Sequence, residues 1–204
     1  MIDIRPFQPA DLDALYAISL ATGGAGGDAS HLYDDPNLMG HIYSAPYALL
    51  EPHLALVAGD REGVAGFVVG AVDTPTWEQK LERDWWPPLR RRYAAPPGDA
   101  MASWTLDQRR AAMIHRPTLT PSVVAAKYPT HLHLNLLPRL QRRGVGTRLL
   151  DEWLAMAAQH GASAVHVAVN RANLGAIRFW QKRDFAELVD EELVGGRTIW
   201  MGRE

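Results

Sequence analysis

Pro138-Arg139-Leu140-Gln141-Arg142-Arg143-Gly144-Val145-Gly146-Thr147 stands between the alternating stretch Leu132-His133-Leu134-Asn135-Leu136 and a run over residues 144–160. In that run Val145, Leu149, Leu150, Trp153, Leu154 and Ala157 recur at helical spacing, so the order is strand, loop, helix. Two glycines one residue apart at the first helical turn let the backbone pass close to a ligand. The unpaired N–H groups of that turn, with the positive end of the helix dipole, make an anion site. Arg142 and Arg143 add charge suited to a phosphate or pyrophosphate. A tight turn without a ligand is the alternative reading of the same glycines. A dinucleotide fingerprint is excluded because Leu149 stands where its third glycine belongs, and a P-loop because there is no Gly-Lys-Ser/Thr run.

Outward from this loop the alternation continues. Gly161 stops the helix, residues 164–169 form the next strand, and residues 173–182 the next helix. Residues 185–189 and 197–201 suggest two closing strands around Gly195-Gly196. Upstream, Ile2, Ile4 and Phe7 mark a short opening strand, and Leu12, Leu15, Tyr16 and Ile18 a helix capped by Asp11. Thr22-Gly23-Gly24-Ala25-Gly26-Gly27-Asp28 ends that helix. Residues 32–50 are helical in pieces, broken by Pro36 and Pro46. Residues 53–58 and 64–72 are strands joined by a turn at residues 59–63, the second apolar enough to be covered on both faces. The series is α/β.

Residues 73–127 differ in texture. They carry Trp77, Trp85, Trp86 and Trp104, the pairs Pro87-Pro88 and Pro96-Pro97, and the run Arg90-Arg91-Arg92, with helices over residues 78–86 and 107–114. Too little strand or helix is present for a separate core, so the segment reads as an insertion or lid in a single domain over residues 1–204. The arginines, offset by Glu78, Glu82 and Asp84, read as a solvated, ion-paired face. Exposed Trp85 and Trp86 are candidates for an interface.

The chain has 204 residues, with 21 Lys+Arg against 23 Asp+Glu and no cysteine. Near-neutral charge argues against nucleic acid as a partner. Absence of cysteine removes disulfides, thiolate nucleophiles and Cys-ligated zinc, and no metal site is expected. With 47% hydrophobic and 22% charged residues the chain is globular, and no apolar run reaches the roughly 18 residues of a membrane helix. No membrane partner and a cytoplasmic location are expected.

Gln141-Arg142-Arg143-Gly144-Val145-Gly146 resembles the Q/R-x-x-G-x-G/A signature of the GNAT superfamily of N-acetyltransferases. Residues 173–185, Asn173-Leu174-Gly175-Ala176-Ile177-Arg178-Phe179-Trp180-Gln181-Lys182-Arg183-Asp184-Phe185, resemble its second signature, N-x-x-A-x-x-(L/F)-Y-x-x-x-G-F. The tryptophan-rich insertion and the strand Tyr128-Pro129-Thr130-His131-Leu132-His133-Leu134-Asn135-Leu136-Leu137-Pro138 are similar to the acetyltransferase-like domain of O-GlcNAcases and its free-standing bacterial relatives. The resemblance implies a GNAT fold: a central mixed sheet of about seven strands flanked by helices, with the insertion before the central CoA-binding strand. It implies acetyl-CoA as cosubstrate and direct acetyl transfer to an amine. Leu134, Leu136 and Leu137 would meet the pantetheine arm through their backbone. Arg142, Arg143, Gly144, Val145, Gly146 and Thr147 would hold the pyrophosphate, Asn173 would touch the pantetheine, and Phe179 and Trp180 would flank the thioester.

Catalysis needs a neutral amine, a stabilised oxyanion and a protonated leaving thiolate. Trp180 stands where many members carry an acidic Tyr, and an indole N–H delivers no proton at useful pH. Asp184 replaces the usual Gly. The alternative function is therefore a weak or inactive CoA-binding or protein-interaction module of the same fold. His131, His133 and Asn135 share one face of the strand by two-residue alternation and are the catalytic candidates. Neutral, hydrogen-bonded histidines are the competing reading. His166 has a weaker case. Asp28 and His31 read as part of a mobile loop or of the acceptor site, the insertion tryptophans as apolar staples or acceptor walls, and Tyr128 as a core or edge residue or a source of a hydroxyl. The amine, whether small molecule, aminoglycoside, peptide N-terminus or lysine, is not selected by any motif, and neither is the oligomeric state.

Overall fold

A computed structural model describes residues 2–98, 101–190, 193 and 196–204. Its strands are β1 (Asp3–Pro6), β2 (Ala55–Asp60), β3 (Gly63–Ala71), β4 (Thr130–Leu136), β5 (Val165–Asn170), β6 (Ala186–Glu187) and β7 (Thr198–Arg203). They form one sheet in the order β1-β2-β3-β4-β5-β7-β6. The helices are α1 (Leu12–Ala21), α2 (Leu38–Tyr43), α3 (Ala45–Leu50), α4 (Thr74–Lys80), α5 (Trp86–Arg92), α6 (Leu106–His115), α7 (Ser122–Lys127), α8 (Val145–Gln159) and α9 (Leu174–Gln181). The mixed α/β architecture expected from the alternation is present. The turn at Gly195-Gly196 lies partly outside the described residues; Gly196 itself has φ +83°.

Both faces of β3 are buried, as its unbroken apolar sequence requires. One face packs on α8 through Leu149, Leu150, Trp153 and Ala157, with Trp180, Phe185 and Met201 in the same core. Trp153 is fully buried, and its indole N–H donates to the Leu54 carbonyl at 2.9 Å. The other face is covered by α1, α2, α3 and the 73–127 segment, which supplies Trp77, Leu81, Trp86, Leu89 and Ile114 to that core. Residues 81–85 of the segment form one wide π-type turn between α4 and α5.

Four expectations are corrected. Trp86 is buried, and Trp85 is partly buried with its indole N–H on the His41 carbonyl at 2.9 Å, so neither offers a free interface. Asp11 does not cap α1. Its carboxylate accepts Gln8 N–H at 2.8 Å and the Arg5 guanidinium at 2.7 Å, closing the short turn before the helix. Residues 52–54 form a turn because Pro52 opens it, so β2 starts at Ala55. Among the expected carboxylates only Glu82 pairs with the arginine run, on Arg90; Asp84 binds Arg83, and Glu78 accepts Thr120 N–H at 2.8 Å.

Candidate functional site

The sheet opens at its centre. Strand β4 pairs with β3 from Ala71↔His131 to Gly66↔Leu136, but its parallel pairing with β5 consists of Thr130↔Val165 and His131↔His166 only. Beyond those two rungs the strands diverge. Leu137 N–H donates to the Ala65 carbonyl at 2.8 Å. By the alternation of an antiparallel ladder, His133 and Asn135 then turn their peptide groups to β3, while Leu132, Leu134 and Leu136 turn theirs to the open edge. The Leu136 carbonyl is already held by Gln141 Nε2 at 2.8 Å.

This opening joins two cavities. One, of 690 Å³, is lined by the loop after α1, by Leu132, His133, Leu134 and Asn135 of β4, and by residues 167–170 of β5, with Asn173, Ala176 and Trp180 from α9. The other, of 710 Å³, lies over His131, His133 and His166 and has aromatic walls from Tyr47, Trp77 and Trp200. His133, Leu132, Ala168, Tyr43 and Met113 border both.

The histidines differ in their bonding. Thr74 Oγ1 gives its proton to the Pro129 carbonyl at 2.6 Å, so at 2.7 Å from His131 Nδ1 it must accept. His131 is therefore the Nδ1–H tautomer, and its Nε2 accepts from Tyr47 O–H at 2.9 Å. Both ring nitrogens are engaged, and burial, with His166 and His133 adjacent, holds its pKa well below the ordinary value. His166 is fixed by Nδ1–H to the Tyr128 carbonyl at 2.6 Å, and burial lowers its pKa as well. His133 has no hydrogen-bond partner among the described residues; its ring lies edge-on to Tyr43 and Tyr47, 5.7 and 5.2 Å between centroids. Burial, with His166 beside it, lowers its pKa to about 4, so its ring is neutral near pH 7. Asn135 Nδ2 donates to Thr22 Oγ1 at 2.6 Å, tying β4 to the end of α1.

Two groups at the junction of the cavities escaped the sequence. The Tyr43 hydroxyl accepts from Arg110 Nη1 at 3.1 Å, and Arg110 Nε donates to Tyr33 Oη at 3.0 Å. Burial raises the Tyr43 pKa, against the pull of the Arg110 cation. Tyr33, Tyr43 and Arg110 are far apart in the chain, and no spacing rule links them. Asp28 and His31 line neither cavity; the Asp28 carboxylate is occupied by Ser30 N–H and Oγ. Tyr128 is buried.

At the end of β4 the loop turns into α8. Gly144 sits at φ +74°, a left-handed conformation, with no atom within 4 Å of where a Cβ would stand. A Cβ on Gly146 would come within 3.3 Å of Phe179 and 3.4 Å of Leu136, so that backbone lies open yet closely flanked. Arg142 and Arg143 are exposed, and among the described residues neither pairs with a carboxylate. Asn173 caps α9, its Oδ1 accepting Ala176 N–H at 3.0 Å, and Trp180 is buried between Phe179 and Phe185. The loop thus has room, free N–H groups and unneutralised cations for a phosphate group, and the open edge of β4 leads from it to the histidines. Among the described residues no group of His, Asp or Glu side chains is arranged to hold a metal ion, and no helix is long and apolar enough to cross a membrane.

Residues 29–185 match the model of the acetyltransferase (GNAT) family. The crystal structure of SsHAT superposes with a TM-score of 0.89 at 34% sequence identity, over 99% of this chain and 97% of that one. The paia N-acetyltransferase from Thermoplasma acidophilum, in complex with coenzyme A, shares the fold with a TM-score of 0.59 at 16% identity, over 100% and 99% of the two chains. Protein O-GlcNAcase of Rattus norvegicus is 20% identical over 209 residues, which are 98% of this chain and 22% of that protein. The chain therefore spans about a fifth of the length of the curated relatives it matches.

Proposed function

The chain belongs to the acetyltransferase (GNAT) family, and from that premise we propose that it passes an acetyl group directly to the nitrogen of an amine, with no acetylated side chain in between. It is an acyltransferase, and acetyl-CoA is its cosubstrate, supplying an activated acetyl group. The observation that carries the direct-transfer reading is the opening of β4 from β5 after two rungs, with the unpaired imidazole of His133 facing both cavities it joins.

The residues divide the work by position. Arg142, Arg143 and the N–H groups of residues 144–147 would neutralise and bind the diphosphate, and the open backbone of Leu134 and Leu136 would pair with an extended amide-bearing arm. Asn173, Phe179 and Trp180 would flank that arm. Leu137, whose N–H is spent on Ala65, would contribute packing alone. His133 would accept the proton of the attacking nitrogen: a nitrogen that has added to a carbonyl is far more acidic than a free ammonium, so a weak base suffices. His131, both nitrogens engaged, would hold β4 in place, and Asn135 would fix the end of α1 over the site. The hydroxyl missing at Trp180 would be replaced by that of Tyr43, which borders both cavities and would protonate the leaving thiolate. We read residues 1–204 as one domain, with 73–127 an insertion that walls the second cavity.

Trp180 favours a second reading, a CoA-binding or interaction module without turnover. Calorimetric titration with acetyl-CoA, paired with thiol release in the presence of amines, separates the two. Binding that disappears in the Gly144→Glu, Gly146→Glu double variant, whose circular dichroism is unchanged, supports the loop assignment. Binding with no thiol release for any amine leaves the CoA-binding module; no binding by the wild type refutes the enzyme reading and leaves the interaction module.

A further inference from the structure

The 690 Å³ cavity is lined by three arginines, Arg109, Arg110 and Arg197, and by no aspartate or glutamate among the described residues. Arg110 is the informative one. It is partly buried, and its partners are all neutral: Tyr33 Oη, Tyr43 Oη and Met113 Sδ, the last 3.2 Å from Nη1. Its guanidinium also lies 5.8 and 5.7 Å from the centroids of the two phenol rings. Asp107, one turn earlier on α6, does not neutralise it, because that carboxylate accepts the backbone N–H groups of Asp34 and Asp35 at 3.1 and 2.9 Å.

A guanidinium has five N–H groups, and Nη2 has no partner among the described residues. Nor is Nη2 sealed in protein: among the described residues the buried side-chain N and O atoms without a partner are His41 Nε2, Trp77 Nε1 and Arg183 Nε. Its two free N–H groups therefore reach the cavity that Arg110 lines. Withdrawing a cation from water without a counter-charge is unfavourable, and the cost is recovered when an anion arrives with matching geometry. The two N–H groups of Nη2 can donate charge-assisted hydrogen bonds to a carboxylate. The phosphate loop at residues 142–147 leads into α8, which packs on the opposite face of the sheet from α6, so Arg110 is placed for a second anion.

We infer that the acceptor is a small amine that itself carries a carboxylate, an amino acid or a close analogue, and that Arg110 binds the carboxylate while the amine lies toward His133. The inference rests on the acetyl-transfer reading above. It disfavours polycationic acceptors such as aminoglycosides, which three arginines would repel.

The test measures thiol release from acetyl-CoA with the standard amino acids and, in matched pairs, their decarboxylated counterparts. Wild type, Arg110→Met and Arg110→Lys are compared, and acetyl-CoA binding is followed in parallel by calorimetry. The charge-assisted pair predicts that in at least one matched pair the carboxylate-bearing amine is favoured roughly 10- to 100-fold in kcat/KM. Arg110→Met abolishes the preference, Arg110→Lys restores part of it, and neither changes acetyl-CoA affinity. Equal or better use of the decarboxylated amines by the wild type overturns the inference, as does an unchanged ratio in Arg110→Met. Failure of every carboxylate-bearing amine while a decarboxylated amine releases thiol overturns it too, whereas binding with no release for any amine fails the parent reading. A loss of acetyl-CoA affinity in Arg110→Met would assign the guanidinium to the cosubstrate's phosphates and refute it. Should Arg110→Met not fold, the wild-type ratio and Arg110→Lys decide. No acetyl-CoA binding by the wild type fails the parent reading instead, a distinguishable result.

Discussion

Acidification from pH 7 to pH 5 should strip this protein of much of its stability, and the buried histidines are the reason. An unfolded histidine titrates near pH 6.5. In the fold, His41 and His133 are lowered to about 4, burial being the main cause in each, and burial lowers His131 as well. Between those values the unfolded chain binds protons that the native state refuses, so stability falls as pH falls. Each such histidine leaves stability unchanged above about pH 6.5 and costs about 1.4 kcal/mol per pH unit below it, until its native pKa is reached. At pH 5 this is about 2 kcal/mol per site, or about 4 kcal/mol for His41 and His133 together, against a total of about 5–15 kcal/mol for a typical domain. Urea denaturation at both pH values measures it. His133→Asn should remove about one proton from the pH slope, reducing the difference between pH 7 and pH 5 by about 2 kcal/mol. Unchanged pH dependence in that variant, or greater stability at pH 5 than at pH 7, would refute the assignment of a partly buried, neutral imidazole.

Thr74→Val should leave the His131 Nδ1–H without an acceptor and lower stability by about 1–3 kcal/mol in urea at pH 7, because a buried donor loses its partner; a loss under a few tenths would show that the bond is replaceable. Tyr43→Phe should lower kcat about 100-fold while leaving acetyl-CoA affinity unchanged, since a positioned proton donor supplies a factor of that order; full turnover would remove Tyr43 from the chemistry. Gly144→Ala should cost about 1–2 kcal/mol in a thermal melt from backbone strain alone, the site for its Cβ being open, and Gly144→Asn should cost less.

What was legible in the sequence was what local spacing encodes. Helix α8 and its glycine loop lie within one contiguous stretch, and so does the two-residue alternation that puts His131, His133 and Asn135 on one face of β4. Asn173, singled out for a ligand, lines the first cavity and also caps α9 through its carbonyl oxygen. Two kinds of feature were not legible. Asp11 has the residue type of a helix cap, but a tertiary partner, Arg5, and the preceding turn claim its carboxylate first. Tyr43 and Arg110 come from helices separated by two strands and three further helices, and only packing of the 73–127 segment on α2 brings them together. The same packing buries Trp86, whose exposure no pattern within the segment could have excluded. Bonding within the histidine group also depended on Thr74 and Tyr47, residues with no local link to β4.

The two-rung seam between β4 and β5 has a meaning for folding as well. On one side of it β1, β2, β3 and β4 run antiparallel to their neighbours, and on the other so do β5, β7 and β6. Each half closes by pairing strands of opposite direction, whereas the seam is the sheet's parallel join and must wait for the whole of α8 to cross over. The molecule is thus two antiparallel halves buttoned at Thr130 and His131. Amide exchange should report them as separable cooperative units, with the residues that fasten the button, Thr74, Tyr47 and Tyr128 among them, setting how firmly one half remembers the other.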